Sequence, residues 1–184
     1  MDVTGGITSV DDASFNYASG TFCQSEPNPA ALVTGVPGGS FSSTAGLVID
    51  AATGEIDLAA STVGTYTITY ATTGVCANST TQDVEIVAED AATVTYDAAT
   101  YCDTLSNPIP AITGSTGGTF SSTAGLVINP ATGEIDLAAS TAGLYTITYT
   151  TPGICPVNVS TDVTIQDCPV GRMDAALASA LRLY

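Results

Sequence analysis

Short stretches of alternating apolar and polar residues run through the chain, separated by clusters of Gly, Pro, Ser, Thr and Asp. The clearest are Thr65-Tyr66-Thr67-Ile68-Thr69-Tyr70 and Glu55-Ile56-Asp57-Leu58. A period of two sends successive side chains to opposite faces. These stretches therefore predict antiparallel strands with one face buried and one in water. Leu47 to Asp50, the turn Ala51-Ala52-Thr53-Gly54, and Glu55 to Leu58 predict a hairpin that closes on glycine. Further strands are expected at 14–18, 30–34, 40–44 and 83–88. About six or seven short strands with turn signals between them describe a β-sandwich. Its inward positions are Phe15, Tyr17, Phe41, Leu47, Ile49, Ile56, Leu58, Tyr66, Ile68, Tyr70, Val84 and Ile86.

The pattern occurs twice. Residues 41–62 return as 120–141, an offset of 79, with only Asp50/Asn129 and Ala51/Pro130 changed. The offset holds without a gap: Cys23 maps to Cys102, Asn28-Pro29 to Asn107-Pro108, Tyr66 to Tyr145, and Cys76 to Cys155. The fold class is therefore all-β, two tandem β-sandwich modules of about 79 residues each, which the resemblance given below makes Ig-like. The first spans 13–91 and the second 92–170, with 1–12 as the end of a preceding linker or module. A unit of this size buries its own core, so the copies read as beads on a string rather than a solenoid. Only about six residues, 88–93, lie between the last strand of one copy and the first of the next. That is too short for a flexible coil of useful reach, and predicts limited bending between the copies. Residues 171–184 break the pattern, with Met173, Leu177 and Leu181 at helical spacing, and read as an appended or linker tail.

Composition narrows the function. The chain has 18 acidic residues against two basic ones, no histidine, and a net charge of −16. Both basic residues, Arg172 and Arg182, lie in the tail, and lysine is absent. Neutralising phosphates takes Lys and Arg, so nucleic-acid binding is excluded, and an anionic membrane surface repels such a body. Nucleophile activation by histidine or lysine and His-ligated zinc are excluded as well. No apolar run reaches the roughly 18 residues a membrane span needs, so no membrane insertion is expected. The opening residues lack the basic and apolar regions of a signal peptide, and the sequence reads as a piece of a longer exported chain. An enzyme is not expected.

Four of the five cysteines obey the repeat, which predicts one disulfide per module: Cys23–Cys76 and Cys102–Cys155. Cys168 is left unpaired, since Glu89 stands at its position in the first copy. The pairs Glu55/Asp57 and Glu134/Asp136 have the residue types of a glycosidase. Positions i and i+2 of a strand share one face, however, and the motif recurs with no second domain to form a cleft. A charged outer face that discourages edge pairing is the better account. Tyrosines 66, 70, 145 and 149 fall at the inward phase.

The run Ser43-Thr-Ala-Gly-Leu-Val-Ile-Asp-Ala-Ala-Thr-Gly-Glu-Ile-Asp-Leu, followed by Ser61-Thr-Val-Gly-Thr-Tyr-Thr-Ile-Thr-Tyr, resembles the signature of bacterial Ig-like and cadherin-like surface domains. With Asn-Pro after the first cysteine and Gly-Gly-Thr-Phe before the second hairpin, it is similar to repeats of large Bacteroidetes cell-surface adhesins of the type IX-secreted, SprB-type gliding class. The resemblance covers nearly all of both copies. It implies extracellular, cell-surface display as semi-rigid spacer or adhesin modules in surface attachment or gliding. The implied partners are a surface polysaccharide or another cell-surface protein, and neighbouring repeats of the same chain. Cadherin-like modules stiffen their junctions with Ca²⁺. Asp11, Asp12, Glu89, Asp90 and Asp97 are the corresponding candidates here, and no other cofactor is expected. Asp103-Thr104-Leu105 resembles a short Bacteroidetes O-glycosylation motif, with Thr104 as acceptor. The alternatives are a carbohydrate-binding module, which needs exposed aromatic residues, and a subunit of an extracellular filament.

Overall fold

The computed structural model describes residues 9–168. The chain divides into two units, Met1–Glu89 and Asp90–Tyr184. Asp90 begins the second unit because its backbone N–H donates to the Cys155 carbonyl at 2.9 Å and its carboxylate accepts from Gly153 N at 2.8 Å. Asp11 and Asp12 are likewise integral to the first unit. Asp11 N donates to Cys76 O, and Val36 N donates to Asp12 O. The tail 171–184 lies outside the described residues.

The first unit contains β1 (Phe15–Asn16), β2 (Thr21–Cys23), β3 (Leu32–Val33), β4 (Ser40–Ser43), β5 (Val48–Ile49), β6 (Ile56–Asp57), β7 (Gly64–Ala71) and β8 (Ser79–Val87). The second repeats it as β9 (Ala92–Thr95), β10 (Thr100–Cys102), β11 (Ala111–Gly114), β12 (Thr119–Ser122), β13 (Val127–Ile128), β14 (Ile135–Asp136), β15 (Gly143–Thr150) and β16 (Asn158–Gln166). One layer of each sandwich is a four-stranded sheet, ordered β2-β8-β7-β4 and β10-β16-β15-β12. The other layer joins the pair β1-β3 to the hairpin β5-β6 through Ile56 N donating to Pro29 O, and β9-β11 to β13-β14 through Ile135 N donating to Pro108 O. This is the two-layer Ig-like arrangement expected of the sequence.

Alternation explains the long strands. In β7 the side chains of Tyr66, Ile68 and Tyr70 are buried while threonines face outward, and β15 does the same with Tyr145, Ile147 and Tyr149. β8 departs from expectation by starting at Ser79, four residues before its apolar alternation begins. Its polar first half is held by pairing with the full length of β7, from Gly64↔Ile86 to Ala71↔Ser79. Backbone pairing, not side-chain burial, extends the strand.

Each unit has its own core. In the first, all the expected inward residues are buried except Ile49, which packs partly buried against the rest, and Ala13 and Phe22 join them. Phe41 and Tyr70 pack as tilted rings with centroids 4.6 Å apart, as do Phe120 and Tyr149 at 4.7 Å. The hairpin turn requires glycine. Gly133 has φ of 72°, and a Cβ there would lie 2.8 Å from the Phe120 ring. At the entry to β7 and β15 a tyrosine hydroxyl reaches back four residues, Tyr66 to Thr62 O and Tyr145 to Thr141 O, each at 2.7 Å. Such a corner fixes the crossing from one sheet to the other.

Ile147→Ala and Leu144→Ala separate packing from exposure on one strand. Ile147 is 0% exposed and Leu144 is 70% exposed. The first replacement should cost about 2–5 kcal/mol and the second within about 0.5 kcal/mol, read from urea unfolding of the second unit.

Candidate functional site

The cysteines are placed by a pairing that leaves no local trace in the sequence. β2 runs parallel to β8, with Cys23 opposite Val87, and β10 runs parallel to β16, with Cys102 opposite Gln166. The first cysteine of each copy therefore lies at the downstream end of the unit's last strand. Cys76 and Cys155 precede that same strand, beside Asp11 and Asp90 at the other end. The nine residues of β8, and the nine of β16, stand between. At about 3.3 Å per residue this is roughly 26 Å, far beyond disulfide reach.

The repeat-derived pairs are thus corrected. Cys102 is bonded to Cys168, not to Cys155, with Cα atoms 5.3 Å apart. Cys23 and Cys76, at opposite ends of their unit, are not joined to each other. Cys168, expected unpaired, is drawn in because it follows β16 by two residues. Its backbone N–H donates to Asp103 Oδ1, and Asp103 N donates to Gln166 O, each at 3.0 Å. In the first unit Glu89 occupies the equivalent place and accepts hydrogen bonds from Ser25 N at 3.2 Å and Ser25 Oγ at 2.6 Å.

The carboxylates singled out for calcium take donors from their own units. Asp12 accepts from both the hydroxyl and the backbone N–H of Ser14, and these bonds hold its carboxyl below the usual carboxylate range. Asp11 lies at the upstream end of the first unit and Glu89 at the downstream end. In the second unit Asp90 caps Gly153, while Asp97, beyond β9, accepts from Tyr101 Oη at 2.5 Å. Within neither unit do these residues converge into the six to eight oxygens that Ca²⁺ prefers. Thr104 is exposed in the turn after β10.

Glu55 and Asp57 share the outer face as expected and line, with Asn28 and Asp50, an open groove of about 440 Å³. Glu134 and Asp136 line its counterpart of about 300 Å³ with Asn107 and Asn129. Several of these groups are already committed to the backbone. Asn28 Oδ1 accepts from Leu58 N at 3.1 Å, Asn107 Oδ1 from Leu137 N at 3.0 Å, and Asp57 Oδ1 from Ala60 N at 3.1 Å. The Asn-Pro step thus ties the loop before β3 or β11 to β6 or β14 and its downstream end, and its recurrence at the same offset in both copies was the available signal. Asp50 accepts from the backbone N–H of Ala52 and Thr53, which lowers its pKa, and Asn129 makes the same two contacts in the second unit.

Every tyrosine among the described residues spends its hydroxyl inside its own unit. Tyr17 donates to Gly54 O and Tyr96 to Gly133 O, each at 2.5 Å. Tyr70 donates to Val36 O at 2.8 Å and Tyr149 to Ser115 O at 2.9 Å. Burial raises the pKa of Tyr17 to about 12. Tyr101 is raised to about 12 by burial and by its bond to Asp97. The described phenylalanines are buried too, so no aromatic side chain stands out as a stacking platform among the described residues. No helix among them is long and apolar enough to cross a membrane.

Neither a protein-family model nor a curated protein sequence matches the chain. Among solved structures it is similar to mouse cadherin-23 EC22–24, at 13% identity and a TM-score of 0.35, covering 86% of this chain and 65% of that one. It is also similar to protocadherin gamma B2 extracellular cadherin domains 3–6, at 11% identity and a TM-score of 0.38, covering 86% and 52%. Murine CEACAM1b shares 10% identity at a TM-score of 0.41, covering 84% and 99%. The chain thus spans less than two thirds of the cadherin-23 and protocadherin chains. The fold assignment rests on strand order and register.

Two outcomes follow from this geometry. Mass spectrometry of a non-reduced peptic digest should recover a peptide pair linking Cys102 to Cys168. Opening that loop, of sequence separation 66, with Cys168→Ser should cost the second unit about 4 kcal/mol on the chain-entropy account.

The Asp50 turn should make a pH-dependent contribution that its counterpart lacks. Its folded pKa is lowered, so the contribution is full above the unfolded carboxylate range, near 4, and fades as pH falls through the folded value. Asp50→Asn should flatten the acid limb of the first unit's melting curve, and Asn129→Asp should introduce one in the second. Identical limbs in wild type and Asp50→Asn would contradict this account of the turn.

Proposed function

We propose that the chain is a pair of non-enzymatic structural or adhesive modules of a large bacterial cell-surface protein, serving as spacer or adhesin in surface attachment. The observation that carries this reading is the inward commitment of the aromatic residues. Seven tyrosine hydroxyls, those of Tyr17, Tyr66, Tyr70, Tyr96, Tyr101, Tyr145 and Tyr149, are used to build the units. The outer faces are mainly threonine, serine and carboxylates, with scattered exposed apolar residues such as Leu144 and Val127. A face of that kind is well hydrated, and at a net charge of −16 it repels its own copies. The Cys102–Cys168 disulfide supports display in an oxidising, extracellular setting. The partners in this reading are another surface protein or a surface polysaccharide, met through polar and acidic surface, and neighbouring repeats of a longer chain. A role in gliding motility is the narrower form of the proposal.

The carbohydrate-binding alternative is disfavoured by the same observation, because sugar stacking needs an open aromatic face. Titrating neutral polysaccharides while following tyrosine fluorescence should show no saturable change. Saturable quenching that disappears on Tyr96→Phe or Tyr101→Phe would replace the spacer reading with a lectin-like one.

A further inference from the structure

The two units are built to one plan, so the positions where they differ are ones the fold itself leaves open. Around β10 four such positions gather in the second unit. Asp97, Tyr101, Leu105 and Ile109 stand where the first unit has Ala18, Phe22, Glu26 and Ala30. The backbone is unchanged there, since Leu105 N donates to Cys102 O as Glu26 N donates to Cys23 O, each at 3.1 Å. Phe22 and Tyr101 are buried alike, so packing alone asks for no hydroxyl at this place. All four residues line one open groove of about 400 Å³, with Pro108 between the two aliphatic side chains in sequence.

The carboxylate on this groove is held in place. Tyr101 Oη donates to Asp97 Oδ1 at 2.5 Å and accepts from Ala98 N at 3.0 Å. Burial and the bond to Asp97 raise the phenol to about 12, so it stays protonated and keeps donating. Asp97 also lines a smaller groove, of about 240 Å³, together with Asp162, which adds a second negative charge nearby. Leu105 and Ile109 are 55% and 63% exposed, and leucine in place of Glu26 surrenders hydration that only a covering partner recovers. We propose that this groove is a docking site for a segment of another protein that presents a Lys or Arg side chain beside an aliphatic one. The cation meets Asp97, and the aliphatic group covers Leu105 and Ile109. A second copy does not fit, because residues 9–168 contain no Lys, Arg or His and the chain carries a net charge of −16. A polysaccharide fits poorly, because Tyr101 is buried and the groove has no open aromatic face. The inference rests on the adhesive reading and names the chemistry of its protein partner.

Titrating the isotope-labelled full chain with three acetylated, amidated peptides, Leu-Lys-Leu, Leu-Gln-Leu and Leu-Glu-Leu, and following backbone amide resonances tests this. Leu-Lys-Leu should give saturable shifts at Asp97, Leu105 and Ile109. It should bind about threefold more tightly than Leu-Gln-Leu, the scale of one part-exposed ion pair, with Leu-Glu-Leu weaker still. Asp97→Asn, which keeps the oxygen that accepts from Tyr101, should bring the lysine peptide down to the glutamine peptide. Leu105→Ala, and independently Ile109→Ala, should weaken all three. These positions are exposed, and an unchanged urea midpoint of the second unit reports that each variant is folded. No saturable shift with Leu-Lys-Leu, equal affinities for the three peptides, or an Asp97→Asn chain that still prefers lysine would overturn the docking site. Residues 171–184 carry both arginines. If deleting them moved the same resonances without peptide, the occupant would be the chain's own tail and the external partner would be excluded. A silent titration leaves the spacer reading standing. Saturable polysaccharide binding through tyrosine would remove that reading and leave the peptide comparison intact.

Discussion

In each unit a three-residue strand, Thr21–Cys23 or Thr100–Cys102, lies parallel to the last strand at its downstream end. Only three residue pairs are involved in each unit, yet much of the molecule is arranged by them. The entering segment pairs first with one layer, through β1 or β9, and then crosses to the other layer through β2 or β10. The short strand also covers the flank of β8 or β16 that would otherwise be an open edge. In the second unit it brings Cys102 beside the end of β16, where Cys168 meets it.

The interior and the exterior divide the side chains by chemistry. Tyrosine and phenylalanine build the inside; six of the seven described tyrosine hydroxyls donate to backbone carbonyls and that of Tyr101 to Asp97, so among the described residues burial leaves no side-chain polar atom unpaired. Threonine builds the outside, with Thr67 donating to Asp83 and Thr146 to Asp162 across neighbouring strands. Carboxylates cap turns, as Asp50, Asp57 and Asp136 do. An acidic surface of this sort keeps copies soluble and apart, while the framework is held by neutral contacts.

The two copies have diverged in compensated ways. Where the first has Ala18 and Phe22, the second has Asp97 and Tyr101, and the added hydroxyl donates to the added carboxylate. Asp50 and Asn129 make the same turn contacts with different titration behaviour. Glu89 and Cys168 both close the downstream end of a unit, one by hydrogen bonds to Ser25 and the other by a covalent bond.

Strands, hairpin and core were legible in the sequence because a period of two and a glycine-ended turn are local signals. Tyr66, Ile68 and Tyr70 declare their face within six residues. The second copy, in turn, reported which positions matter, including Asn28-Pro29, although not that Asn28 bridges to Leu58. The cysteine pairing was not legible. Periodicity decides the face on which a side chain lies, but not the end of the sandwich at which a short strand docks. A parallel pair needs no tight turn between its strands, and Cys23 and Val87 meet although they stand 64 positions apart in the chain. The sequence by itself determined a twofold repeat of acidic, tyrosine-cored sandwiches. Only the tertiary structure decided which ends the cysteines occupy, because that depends on backbone hydrogen bonds between segments with no local signal for each other.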